Sequence, residues 1–112
     1  MSLNYYILVN YKPVLCTDTT AWTDWLHANR VNIHLIKSER NNILVSTVFL
    51  AMGLSPIVNE TIHFETLVFD KDHKVLDSLK YITWEQAKVG HLKLCKKHLK
   101  CYTKSDIFID VL

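Results

Sequence analysis

His63 and Glu65 stand two residues apart in the run His63-Phe64-Glu65-Thr66-Leu67-Val68-Phe69, so on an extended chain their side chains project to one side. A histidine and a carboxylate so placed form an acid–base pair, with Thr47 of a preceding apolar run as a third polar group. A carboxylate inside an apolar strand is costly unless it is paired, which makes Glu65 the most informative polar residue of the chain. Two uses compete for it. It binds or protonates a ligand in a pocket with His63 and Thr47, or it accepts a hydrogen bond from a buried Trp, Tyr or His and orients the core. The structural use is the simpler one, because no nucleophile motif, glycine-rich loop or second carboxylate at a catalytic spacing accompanies the pair. No residue is therefore assigned as catalytic, and an enzyme is the less favoured reading.

His91, Cys95 and His98 recur at i, i+4 and i+7, which on a helix gathers two or three soft ligands on one face, with His63 or Cys16 as a further donor for Zn²⁺. The chain has no paired Cys-x-x-Cys, and the same face carries the apolar residues of its helix. Packed cysteine and hydrogen-bonded core histidines are the plainer explanation, and no metal or other cofactor is expected. Lys93, Lys96, Lys97, Lys100 and Lys104 gather on the opposite face, where they could meet phosphates of RNA or DNA. That arc lacks arginine and an exposed aromatic ring on which a base could stack, so a solvated helix face is favoured over a nucleic-acid partner.

These groups are positioned by a small set of elements. Residues 43–51, Ile-Leu-Val-Ser-Thr-Val-Phe-Leu-Ala, form an uncharged run rich in β-branched and aromatic types, and read as the central strand, apolar on both faces. Before it, residues 4–10 and 14–16 read as a hairpin turned by Tyr11-Lys12-Pro13. Thr17 or Asp18 caps a helix over residues 19–29, with Trp22, Trp25 and Leu26 on its buried side. Val31, Ile33 and Leu35 alternate with polar residues as a third strand, and Glu39-Arg40-Asn41-Asn42 turns it back. Residues 52–62 read as the longest loop, a place where binding residues are often displayed. Strands over residues 63–69 and 75–82 follow, completing an antiparallel meander. Thr83-Trp84-Glu85-Gln86 is a capping box that starts a helix with Trp84, Ala87, His91, Leu94, Cys95, His98 and Tyr102 on one broad face. Residues 107–112 alternate again and suit an edge strand, or one added to a partner chain.

A chain of 112 residues, 49% hydrophobic and 21% charged, is sized for a single domain over residues 1–112 with a core of its own. Neither a membrane-spanning run nor a signal peptide is evident, and the odd set Cys16, Cys95 and Cys101 suggests no disulfide framework, so a cytoplasmic location without membrane contact is expected. A net charge of +2 does not by itself suggest nucleic acid.

Three stretches, Val45-Ser46-Thr47-Val48-Phe49-Leu50, Phe64-Glu65-Thr66-Leu67-Val68-Phe69 and Tyr81-Ile82-Thr83-Trp84-Glu85-Gln86-Ala87 with Gly90-His91, resemble a family of small phage- and prophage-type proteins. Its members carry Val-Ser-Thr-Val-Phe-Leu-Gly, Phe-Glu-Thr-Met-Val-Phe-Gly-Gly and Tyr-Ser-Thr-Trp-Glu-Glu-Ala segments, a later Gly-His, and a Trp-x-x-Trp-Phe-like helix that Trp22 and Trp25-Leu26 match. The resemblance spans roughly residues 5–91 in the same order. It implies a phage-type origin and no particular chemistry. The chain departs from the pattern in two places. Met52-Gly53-Leu54-Ser55-Pro56 replaces an Asp-His-Asn-Phe-Gly loop, and Asp70-Lys71 replaces a Gly-Gly turn.

The sequence thus predicts an α+β fold, an antiparallel sheet of five or six strands ordered mainly as a meander with two helices packed on it. If both helices lie on one face, the other face favours a homodimer. A non-enzymatic module that binds an unknown protein partner or itself leads the functional readings. A ligand pocket around Glu65 and His63 comes second, and nucleic-acid binding through the lysine helix third.

Overall fold

The structure is a computed structural model that describes residues 3–100 together with the strand Asp110–Val111. In chain order its elements are β1 (Asn4–Val9), β2 (Lys12–Cys16), α1 (Thr19–Ala28), β3 (His34–Arg40), β4 (Ile43–Phe49), β5 (Met52–Gly53), a 3₁₀ turn (Val58–Glu60), β6 (Phe64–Phe69), β7 (Val75–Tyr81), α2 (Trp84–His98) and β8 (Asp110–Val111). The fold is α+β, as the alternation and capping signals predict.

The meander forms as expected, antiparallel in the order β7-β6-β4-β3, with β8 as a short fifth strand on the β3 edge. The expected single sheet, however, is two. The β1–β2 hairpin pairs with β5 in a separate three-stranded sheet of order β2-β1-β5. The chain leaves β4 after Phe49, so the predicted central strand is two residues too long and the first residues of the predicted loop become an edge strand. Met52 pairs with Tyr5 and Gly53 with Asn4. Gly53 suits this crossing because a Cβ there would stand 2.3 Å from Thr61 Cγ2.

The third strand also moves. Residues 31–33, read as strand, are the turn that follows α1, and β3 instead runs through Glu39 and Arg40, which were read as turn. The reversal needs only Asn41 and Asn42, both left-handed at φ 53° and 65°, the conformation of a two-residue hairpin loop. An irregularity between His34 and Ile36 breaks strict alternation, so Leu35 and Ile36 are both buried.

Both helices start where their caps predict. The Asp18 carboxylate accepts from the N–H groups of Thr20 and Ala21, and the Thr83–Gln86 capping box is complete. α2 buries Ala87, Gly90, His91, Leu94 and Cys95 on the meander, against Val45 and Val68. Trp84 joins a second core of Tyr6, Phe49 and Phe64, while the expected Tyr102 lies outside the described residues. α1 departs from expectation. It packs chiefly on β1 and reaches the meander through Trp25, whose ring meets Phe49 edge-on at 5.9 Å. None of its residues is fully buried, and the Trp22 Nε1–H donates to the carbonyls of Tyr6 and Ala51.

Candidate functional site

β4 places Val45, Thr47 and Phe49 under α2 and turns Leu44, Ser46 and Val48 to the other side, as a two-residue repeat requires. The two sides hold different groups. On the helix side, register sets Thr47 of β4 opposite Thr66 of β6, and Thr66 opposite Leu79 of β7. The two threonine hydroxyls meet at 2.5 Å, the Tyr81 hydroxyl donates to Thr66 Oγ1 at 3.1 Å, and Thr47 Oγ1 lies 2.7 Å from His91 Nδ1. His91 Nε2 lies 2.8 Å from Ser38 Oγ of β3. These side chains are buried, and together they join every strand of the β7-β6-β4-β3 meander to α2.

Burial pushes His91 down to about 4, so its imidazole is neutral at pH 7, with one nitrogen donating and the other accepting. Tyr81 donates to Thr66, and either tautomer of the neutral ring satisfies the remaining contacts: Thr66 to Thr47, Thr47 to Nδ1 and Nε2–H to Ser38, or Ser38 to Nε2, Nδ1–H to Thr47 and Thr47 to Thr66. A serine, a histidine and a threonine in line resemble a nucleophile relay, but Ser38 is 1% exposed and, among the described residues, the histidine faces no carboxylate. The network fixes the alignment of sheet and helix.

The predicted trio of Glu65, His63 and Thr47 is not brought together. Thr47 belongs to the network above. His63 precedes β6 and is fully buried in the small-sheet core, its ring edge-on to Tyr6 at 4.5 Å and its Nε2–H donating to the Val58 carbonyl at 2.8 Å. Burial lowers its affinity for a proton, and its Nδ1 has no hydrogen-bond partner. Glu65, expected to be buried or to line a pocket, is half-buried on the helix-free side, where register sets it between Val48 and Lys80. Alternation predicted a shared face for His63 and Glu65; it fails because His63 lies outside the strand.

The spaced ligands of α2 likewise separate. His91 serves the network, Cys95 is buried beside Leu94, and His98 Nε2 lies 2.8 Å from Asp77 Oδ2 of β7. Among the described residues no three histidine, cysteine or acidic side chains are grouped to hold a metal. Lys97 joins the same carboxylate at 2.9 Å. His98 first and then Lys97 hold Asp77 well below the usual carboxylate range. Lys93, Lys96 and Lys100 are exposed, and Lys104 lies outside the described residues.

The feature that residue chemistry did not point to is the helix-free face. Leu44, Val48, Leu67 and Phe69 are half-buried there, and Leu76 is exposed at the β7 edge. Neither helix covers it: α1 meets the meander through Trp25, against Phe49, and α2 packs on the Val45–Thr47 side. Lys37, Glu39, Glu65 and Lys80 are interspersed with these apolar groups. Beyond Val48 the surface continues into an open cleft of about 430 Å³ that Leu50, Met52, Leu54, Ile62 and Lys80 help to line. Apolar residues on both faces of the central strand were the sequence signal for it. No protein-family model, curated protein or solved structure matches the chain.

Proposed function

We propose that this is a small phage-type accessory protein that acts by association rather than by catalysis, and that it pairs with a second copy of itself through the helix-free face of its meander. One observation carries the reading: both helices and the small sheet pack toward a single side, leaving Leu44, Val48, Leu67 and Phe69, among the described residues, without a layer over them. An apolar sheet face of this kind marks an interaction surface. Its charges favour a copy of itself as the occupant. A two-fold interface sets one patch against the same patch, which a surface of one sign would oppose, whereas this one carries Lys37 and Lys80 against Glu39 and Glu65. The phage-type origin rests on the resemblance of the Val45–Leu50, Phe64–Phe69 and Tyr81–His91 stretches, and a cytoplasmic location on the odd set of cysteines, which suggests a reducing compartment.

A nitroxide on Ser78→Cys, an exposed position beside Leu67, tests the pairing in a background lacking Cys16 and Cys101. Mixed with isotope-labelled, unmodified chains, it should broaden amide signals of β4 and β6 in the labelled copy and spare the outer face of α2. Broadening confined to α2, or none at millimolar protein, would contradict the proposal.

A further inference from the structure

A second recess, sharing no lining residue with the helix-free face, lies between the β1–β2 hairpin, the end of α1 and the start of β3. It encloses about 230 Å³, less than the roughly 300 Å³ of a typical drug-sized pocket, so its occupant is small. Leu8, Ile33 and Leu35 supply aliphatic surface, Tyr11 and Trp25 supply rings, and Asn10, Asn29 and Asn32 supply the polar groups. Among the described residues no charged side chain lines it.

The carboxamides retain unused capacity. Asn29 Nδ2 donates to the Trp25 carbonyl at 2.8 Å, which leaves its Oδ1 with a single long contact, 3.4 Å from Asn32 Nδ2. Asn32 and Asn10 are exposed at the rim of the recess; among the described residues the Asn32 side chain has only its contact to Asn29, and the Asn10 side chain has none. A carboxamide offers a donor beside an acceptor, the arrangement that matches the N6–N7 edge of adenine, and a purine ring also stacks on aromatic side chains.

The backbone marks the same place. Asn10 and Tyr11 form the hairpin turn with φ of 51° and 63°, and the second position is one where glycine is ordinarily used. A bulky ring there strains the chain, and it is held by stacking on Trp84 at 4.6 Å with planes 16° apart. Such strain persists where surroundings fix it, and it collects at binding sites.

We propose that this cleft binds a neutral purine, as free base or nucleoside, with its hydrogen-bonding edge on the asparagines and its ring against Trp25 or Tyr11. The ¹H–¹⁵N spectrum of the full chain, titrated with adenine, adenosine and methyl glucoside in turn, tests it. Adenine or adenosine should shift signals of residues 10–11 and 25–33, the tighter of the two identifying which form is the ligand, and methyl glucoside should shift none. Asn32→Ala removes only the long contact to Asn29, and Asn10→Gly keeps the left-handed turn, so both variants should fold. Each should weaken binding by about ten-fold, the loss of one paired contact to a base edge. No shift at millimolar adenine and adenosine, shifts elsewhere, equal binding by folded variants, or a response to the glucoside would overturn the proposal.

Discussion

His91 shows how a buried polar residue can hold a fold together. Its two ring nitrogens are engaged from different strands, by Ser38 and Thr47, while it sits on the helix that covers them. His91→Leu would leave both hydroxyls buried with a partner missing, at about 1–3 kcal/mol each, so a loss of roughly 2–6 kcal/mol in urea unfolding is expected. The same residue sets a pH dependence. Its folded pKa of about 4 lies below the ordinary histidine value of 6.5, so between these values the unfolded chain binds the extra proton. Stability therefore falls as pH drops from about 6.5 to about 4, by about 3 kcal/mol for this group, and levels off below. His63, lowered by burial, acts in the same direction. Denaturant midpoints measured across this range should follow that slope in the wild type and lose most of it in His91→Leu. Each network residue was visible in the sequence, but its partner was not. Alternation gives the side to which Thr47 points, whereas only the observed register shows that its neighbour is Thr66 rather than Glu65. Thr47, Thr66, Tyr81 and His91, far apart in the chain, meet in one network.

Among the elements, α2 was the most legible because its start is written in local chemistry, Thr83 and Gln86, and its buried face in a helical repeat. What the repeat did not show is why Gly90 belongs on that face. A Cβ there would lie 2.1–2.2 Å from the Tyr81 ring, so the glycine lets α2 approach β7. Gly90→Ala should displace the ring, disturb the Tyr81–Thr66 hydrogen bond and cost about 1–3 kcal/mol, a drop of roughly 5–15 °C in Tm. In a Tyr81→Leu background the added penalty should largely vanish, and its persistence would place the clash elsewhere. The elements misjudged were those decided by tertiary pairing. β3 lies further along the chain than the alternation of Val31, Ile33 and Leu35 suggested, because its register is set by the two-residue Asn41-Asn42 turn and by β4. β5 has two residues and no pattern of its own; its strand character comes from Tyr5 and Asn4 across from it.

At the scale of the molecule, the layers are lopsided. The meander carries its helices on one side, and the predicted single sheet divides because the chain turns after Phe49 to pair with β1. The apolar second face of the central strand was legible from the sequence; what covers it was not, since a single chain does not record its own assembly. Reversing the character of the face should separate association from folding. Leu67→Lys places a charge at its centre, among Ser46, Ser78 and half-buried apolar neighbours, while leaving the buried network of Thr66 and Thr47 untouched. Val89→Lys, on the exposed side of α2 at 69% exposure, is the matched control. Sedimentation velocity over a range of concentrations decides the matter: the wild type and Val89→Lys should sediment as a concentration-dependent dimer and Leu67→Lys as a folded monomer. A wild type that stays monomeric at high concentration, or a Leu67→Lys variant that dimerises as the wild type does, would contradict the account.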